Sequence, residues 1–197
     1  FRSNETEQTE QTEQTEQLIY LSETLHHYLN NSKKLIDENY KNWDIIKRYT
    51  NPYEFIHSSL PYGNYSIAKE KPVSRAFYKL IEIYKHFNIL SSYNSLKSFH
   101  LAEGPGGFIE ATAYMRRNPY DTYYGITLIS DNDYNIPGWR KSEHLFKKYK
   151  NIIIEKGVTK DGNLYNGDNY RYMASTYKNS MNIITGDGGF DFSSDFN

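Results

Sequence analysis

A chain of 197 residues with 23 basic and 24 acidic side chains, 38% hydrophobic residues and no cysteine is long enough for one domain with a full core and short for two. Its apolar runs fall short of the ~20 residues that cross a bilayer, and the lack of cysteine excludes disulfides, thiolate catalysis and cysteine-based zinc or iron–sulfur sites. His26 and His27 are adjacent and cannot share a helix face, and no H-E-x-x-H occurs, so no metal site is expected; the cysteine-free composition fits a reducing intracellular compartment.

The chain opens on Phe1 rather than Met, so further residues are expected to precede it. Residues 6–17 repeat Thr-Glu-Gln four times without an apolar residue to bury, and read either as a disordered tract or as the exposed start of a helix. Residues 1–17 hold five of the acidic groups and one of the basic ones, so the remainder is net +3. The 20 Tyr, 10 Phe and 2 Trp among Lys and Arg suit base stacking and phosphate contact, and equally reflect genomic base bias. Leu18, Leu21, Leu25 and Leu29 predict one helix and Leu35, Ile36, Trp43 and Ile46 a second, which makes 18–60 an N-terminal helical segment. Thr50-Asn51-Pro52 reads as a helix start, and Leu60-Pro61-Tyr62-Gly63-Asn64 as a loop.

From 61 onward helical and strand-like segments alternate. Helices are predicted over 74–87, 107–117, 139–149 and 168–178, and strands over 98–103, 122–129, 151–155 and 181–186. Such alternation implies an α/β fold, a parallel sheet with helices on both faces, and a ligand at the carboxyl ends of the strands.

Three segments in this region carry candidate chemistry. In Phe99-His100-Leu101-Ala102-Glu103-Gly104-Pro105-Gly106-Gly107-Phe108 a strand runs through a Gly-rich turn into a helix. The glycines let backbone approach a ligand, and free N–H groups at the helix start attract an anion; a plain strand–helix turn is the competing reading. The spacing fits neither G-x-G-x-x-G nor G-x-x-x-x-G-K-[ST]. In Ser74-Arg75-Ala76-Phe77-Tyr78-Lys79-Leu80, a stripe of Ala76, Leu80, Ile83 and Phe87 puts Lys79 at its border. There the lysine either snorkels to solvent or is held in a cleft. In Ile183-Ile184-Thr185-Gly186-Asp187-Gly188-Gly189-Phe190 a buried strand ends in an acid between glycines, which either points into a cleft or forms a turn.

Taken together and in this order, the three segments resemble the FtsJ-like ribose 2′-O-methyltransferases, and within them the mRNA cap branch. The family's S-R-A-x-x-K-L-type helix, G-P-G-G-[FW] turn and D-G-G acid fall on 74–80, 104–108 and 187–189. Tyr124-Gly125-Ile126-Thr127-Leu128 and Asp161-Gly162-Asn163-Leu164 are similar to cap-enzyme segments, and the likeness spans about 60–192. The resemblance implies a class I, Rossmann-like fold dependent on S-adenosylmethionine, with capped RNA as partner. Ribosomal or transfer RNA, or a non-catalytic RNA-binding module on the same fold, are the alternatives. It implies catalytic roles for Lys79 and Asp187. The cofactor would lie along Ala102, Glu103, Gly104, Pro105, Gly106, Gly107 and Phe108, with its methionine end near Ser74 and its adenine near Asn163 and Leu164. The family often has Asp at the position of Asn163. Its further catalytic Lys and Glu come from later strands, so the domain over 61–197 is expected to be incomplete on its C-terminal side.

Overall fold

The computed structural model describes residues 22–59 and 67–188. The Thr-Glu-Gln tract, Leu18, Leu21, the 60–64 loop, and Gly189 with Phe190 lie outside them.

Contacts divide the chain into two units, one ending at Ile46 and one beginning at Lys47. In the first, α1 (Glu23–Glu38) starts at Ser22, whose hydroxyl accepts from the Leu25 N–H at 3.3 Å. It does not stop near residue 30 as the leucine spacing predicts. The i,i+4 bonds His26 to Asn30 (2.8 Å) and His27 to Asn31 (2.9 Å) accompany its passage through the polar stretch. Leu35 and Ile36 therefore belong to α1. The break comes at Asn39, the C-cap, and α2 (Tyr40–Thr50) follows.

In the second unit α3 (Pro52–His57) begins as expected, with Asn51 as N-cap accepting from the Tyr53 and Glu54 N–H groups. Tyr53 donates to Glu82 at 2.6 Å and Arg75 pairs with Glu54, which ties α3 to α4 (Ala76–Phe87). The sheet is built from β1 (Lys97–Leu101), β2 (Thr122–Ile126), β3 (Ile152–Glu155) and β4 (Ile183–Gly186), parallel throughout, in the order β3-β2-β1-β4. The first three strands progress in one direction and the fourth lies on the far side of β1, so the order switches between β1 and β4. Chain connections diverge there and leave a crevice at the carboxyl ends.

Alternate residues of β1 serve opposite faces. Ser98 lies beside Tyr123 on the face packed by Ile109 and Ala113 of α5 (Gly107–Arg116) and Leu145 of α6 (Glu143–Lys148). Phe99, beside Tyr124, faces Met173 and Tyr177 at α7 (Gly167–Thr176) and its C-cap. The predicted α/β parallel sheet with helices on both faces is therefore the observed fold. α5 is buried at Phe108, Ile109, Ala111, Thr112 and Ala113 because it lies between the sheet and α4. Each large apolar side chain in this core contributes about 1.5–3 kcal/mol.

Several expected elements are shorter than predicted, and each truncation has a local cause. The first strand ends at Leu101 because Ala102 takes a left-handed φ of 51°. The second ends at Ile126, and Glu103 N–H donates to the Ile126 carbonyl at 2.9 Å where the two chains leave the sheet. The 139–149 helix begins only at Glu143, since Trp139 and Ser142 turn toward the Gly-rich loop instead. The expected stripe on α4 is rotated. Phe77, Leu80 and Tyr84 are buried against Phe108 and Ala111, whereas Ile83 is 41% and Phe87 67% exposed. The Tyr84 hydroxyl meets Thr112 Oγ1 at 2.9 Å, and half-buried Ala76 also packs on this cluster, so the expected stripe holds at Ala76 and Leu80 and fails at Ile83 and Phe87.

Candidate active site

Rotation of the stripe changes the meaning of Lys79. At ~100° per residue it lies about 130° from the centre of the buried face, so it is not a border residue of the core. Its Nζ instead reaches the carboxylate Oδ2 of Asp187, the first residue past β4. The Lys79 side chain is 34% exposed and that of Asp187 44%, so the pair is open to a molecule in the crevice. A helix before the first strand and the end of the fourth strand thus deliver one cation and one anion to the point where the strand order switches.

Beside this pair runs the turn from Ala102 to Gly107, which includes a cis Gly104–Pro105 bond. The glycines are needed by the protein's own packing. A Cβ at Gly104 would sit 2.7 Å from the Gly138 carbonyl and 2.8 Å from Thr127 Oγ1. One at Gly107 would sit 2.2 Å from Ser74 Oγ and 3.0 Å from the Ala76 Cβ. Gly106 has φ +113°, and a side chain there would press on Leu145 and Trp139. The turn is therefore clamped by the protein's own 127–142 segment, including a Ser142 hydroxyl that donates to the Pro105 carbonyl, and by Ser74 ahead of α4.

The expectation of free N–H groups opening the helix is corrected. Glu103 Oε1 accepts from the Ile109 N–H at 2.8 Å, and the Phe108 N–H also bonds this carboxyl. The helix start already holds an acid from its own chain. Phe108, placed among the cofactor residues by the motif, buries its ring with Phe77, Leu80 and Ala111 and lends the turn only its backbone. Ala102 lies against Gly188, where a Cβ would come within 3.1 Å, so the ends of β1 and β4 touch at the site.

Glu103 is 6% exposed, and burial pushes its carboxyl up to about 8, against the two N–H groups that favour the anion; the charge of Asp187 pushes further upward. Around neutral pH this acid keeps its proton in the folded protein. The unfolded chain releases it near pH 4.5 and the folded one near 8, so its contribution to stability falls as pH rises through that window. Glu103→Gln is expected to remove this component. In urea unfolding at pH 5, 6, 7 and 8 the stability difference should move steadily in the variant's favour, and parallel curves would show Glu103 ionised throughout.

Asn163 and Leu164 lie in the loop after β3, away from the Lys79–Asp187 pair in sequence but at the same carboxyl edge of the sheet. Asn163 Oδ1 accepts from the Tyr165 N–H at 2.9 Å, and Leu164 packs toward Phe99, Ile126 and Met173. Reading of the sequence missed what supports these residues. Ser142 and Trp139 around the Gly turn, and a buried Asn169 on α7, carry no motif, and the 124–128 run gave no sign that Thr127 meets Gly104. His100, fully buried, bridges Ser98 Oγ (2.8 Å) and Thr185 Oγ1 (2.7 Å), linking β1 to β4 one residue before each strand ends. Burial brings its imidazole down to about 3, so it serves as a neutral hydrogen-bonding link.

Comparison with known proteins agrees with this geometry. No curated protein matches the chain. The family model described as FtsJ-like methyltransferase matches residues 72–196, a span that begins just ahead of Ser74 and takes in the Gly turn, all four strands and Asp187. With well over half of its residues in that match and the expected parallel sheet beneath them, the chain belongs to the FtsJ-like methyltransferase family.

Proposed function

We propose that the protein is an S-adenosylmethionine-dependent RNA ribose 2′-O-methyltransferase that acts on the mRNA 5′ cap. The observation that carries this reading is the Lys79–Asp187 pair at the switch point of the sheet, beside the Gly turn. The family generally uses S-adenosylmethionine, and the residues present suit it. Asp187 puts a carboxylate beside the turn, a setting that favours a cationic sulfonium over an anionic ligand. The polar loop at Asn163 suits a base. The cap preference is supported by the runs 124–128 and 161–164, which are similar to cap-enzyme segments.

In this reading the bound cofactor supplies an electrophilic methyl group on a sulfonium. The chain's own residues then do three things. Ala102, Gly104 and Gly106, held by Ser74, Thr127 and Ser142, fix the wall along which the cofactor's methionine part lies. Asp187 holds the Lys79 ammonium in place. Lys79 aims its remaining N–H donors at the ribose O2′, orienting the hydroxyl for in-line attack and stabilising the negative charge that develops on oxygen. The hydroxyl proton leaves toward solvent, which the partly exposed pair admits.

The test is transfer of labelled methyl from S-adenosylmethionine to three RNAs: one with a 7-methylguanosine cap, the same RNA already 2′-O-methylated on its first nucleotide, and an uncapped copy. Transfer to the first alone is expected. Equal transfer to the uncapped copy would move the substrate to another RNA class, and cofactor binding without transfer to any RNA would leave a non-catalytic module.

A further inference from the structure

The loop after β3 is held by one side chain that no motif marks. Asn169, in the first turn of α7, is fully buried. Its Oδ1 accepts from the Thr159 N–H at 3.0 Å, and its Nδ2 donates to Thr159 Oγ1 at 2.6 Å, to the Asn163 carbonyl at 2.9 Å and to Asp161 Oδ1 at 3.3 Å. The Thr159 hydroxyl in turn donates to Asp161, whose Oδ1 also accepts from the Asn163 N–H at 2.9 Å. These hydrogen bonds keep the Asp161 carboxyl below its usual range.

The loop pinned in this way is pressed onto the end of β2. Ile129 N–H donates to the Asp161 carbonyl at 2.7 Å. Gly162, at φ +68°, leaves so little room that a Cβ would lie 2.0 Å from the Thr127 carbonyl. On its other side Gly157, at φ +69°, packs so closely on Asn169 that a Cβ would come within 2.3 Å of Oδ1. Only an amide offers the acceptor for Thr159 N–H together with the donors for Asp161 and Asn163.

We infer that Asn169 is a positioning residue for the cofactor's base: through Thr159, Asp161 and the Asn163 backbone it fixes the wall that Asn163 and Leu164 form at the carboxyl edge of β2 and β3. This rests on the placement of the adenine near Asn163 and Leu164 in the proposed function. An aspartate at this position loses both donors and sets a second negative charge against Asp161. A Thr159→Val change deletes only the hydroxyl, from an exposed loop position, and keeps the β-branched shape.

The experiment is calorimetric titration of S-adenosylhomocysteine into the full-length wild type, Asn169→Asp and Thr159→Val, with far-UV circular dichroism to confirm folding. Both variants are expected to bind about tenfold more weakly, as the loss of one or two hydrogen bonds predicts, at unchanged stoichiometry. The maximal methyl-transfer rate at saturating cofactor should stay close to wild type while KM for the cofactor rises. An unchanged Kd in both variants would overturn the inference. A reduced stoichiometry at unchanged Kd would overturn it too, since that outcome marks Asn169 as support for the fold alone. Thr159→Val keeps the test decisive if Asn169→Asp does not fold. Failure of the wild type to bind the compound at all would instead overturn the cofactor reading on which the inference stands.

Discussion

Replacing Lys79 by alanine in the full-length protein is expected to lower methyl transfer to RNA by about 10²–10⁴-fold, the range over which a positioned acid–base or electrostatic group acts. The prediction follows from where the side chain goes. Lys79 points away from the buried Phe77, Leu80 and Tyr84 face and meets Asp187 at the switch point, so its loss removes no core packing. Cofactor affinity should change little, because in this reading the lysine addresses the ribose hydroxyl. Asp187→Asn should cost a similar factor in rate, since a neutral amide holds the ammonium less firmly, with some loss of cofactor affinity as well. Rates at saturating cofactor and RNA, together with calorimetric affinity for S-adenosylhomocysteine, separate the two effects. Full activity of Lys79→Ala would reduce the pair to a surface ion pair, which by itself is worth little.

The largest expected effect on stability lies at the opposite end of the sheet. Asp121, just ahead of β2, has a fully buried side chain that accepts from the Leu96 N–H at 2.7 Å, from the Tyr123 hydroxyl at 2.9 Å, and from Arg116 Nε at 2.7 Å and a second guanidinium nitrogen at 3.0 Å. Arg116 also donates to the carbonyls of Leu90, Tyr93 and Asn94, closing the stretch that leads into β1. Arg116→Ala leaves that carboxylate buried without its cation and is expected to destabilise the second unit by about 3–5 kcal/mol in urea unfolding at neutral pH. The pH dependence has a defined sign. Burial alone pushes the Asp121 carboxyl up, but the bonds from Arg116, Leu96 and Tyr123 outweigh it and hold the group below 3.8. Its contribution is therefore present above the unfolded value and lost as pH falls through the lower, folded one. In the variant this acid-side loss should shrink, and a variant as stable as wild type at pH 7 would show the pair to be dispensable.

Much of the arrangement was legible in the chain itself, and for identifiable reasons. Apolar runs such as Ile183-Ile184-Thr185 mark strands, and helices between such runs imply crossovers, so the α/β parallel sheet followed from local pattern, although Ile184 proves 65% exposed and the strand is not the buried one expected. The Gly turn and Asp187 each also read as an ordinary turn, and were recognisable only together with the Ser74–Leu80 segment, whose order along the chain carries the resemblance. The first turn of α3 was marked by Asn51-Pro52, a cap whose preference is intrinsic.

What only the tertiary structure determined is which neighbour each side chain meets. The burial of α4 on Phe77, Leu80 and Tyr84 instead of Ile83 and Phe87 depends on the shape of α5 opposite, and no periodicity within one helix contains that information. Glu103 filling the helix start, Ser142 reaching back to Pro105 and Asn169 holding Thr159 and Asn163 join residues 6, 37 and 10 positions apart. Local propensity governs backbone conformation over a few residues. Hydrogen bonds between loops, and the exclusion of water that makes a buried acid keep its proton, arise only once separate segments are brought to the same edge of the sheet.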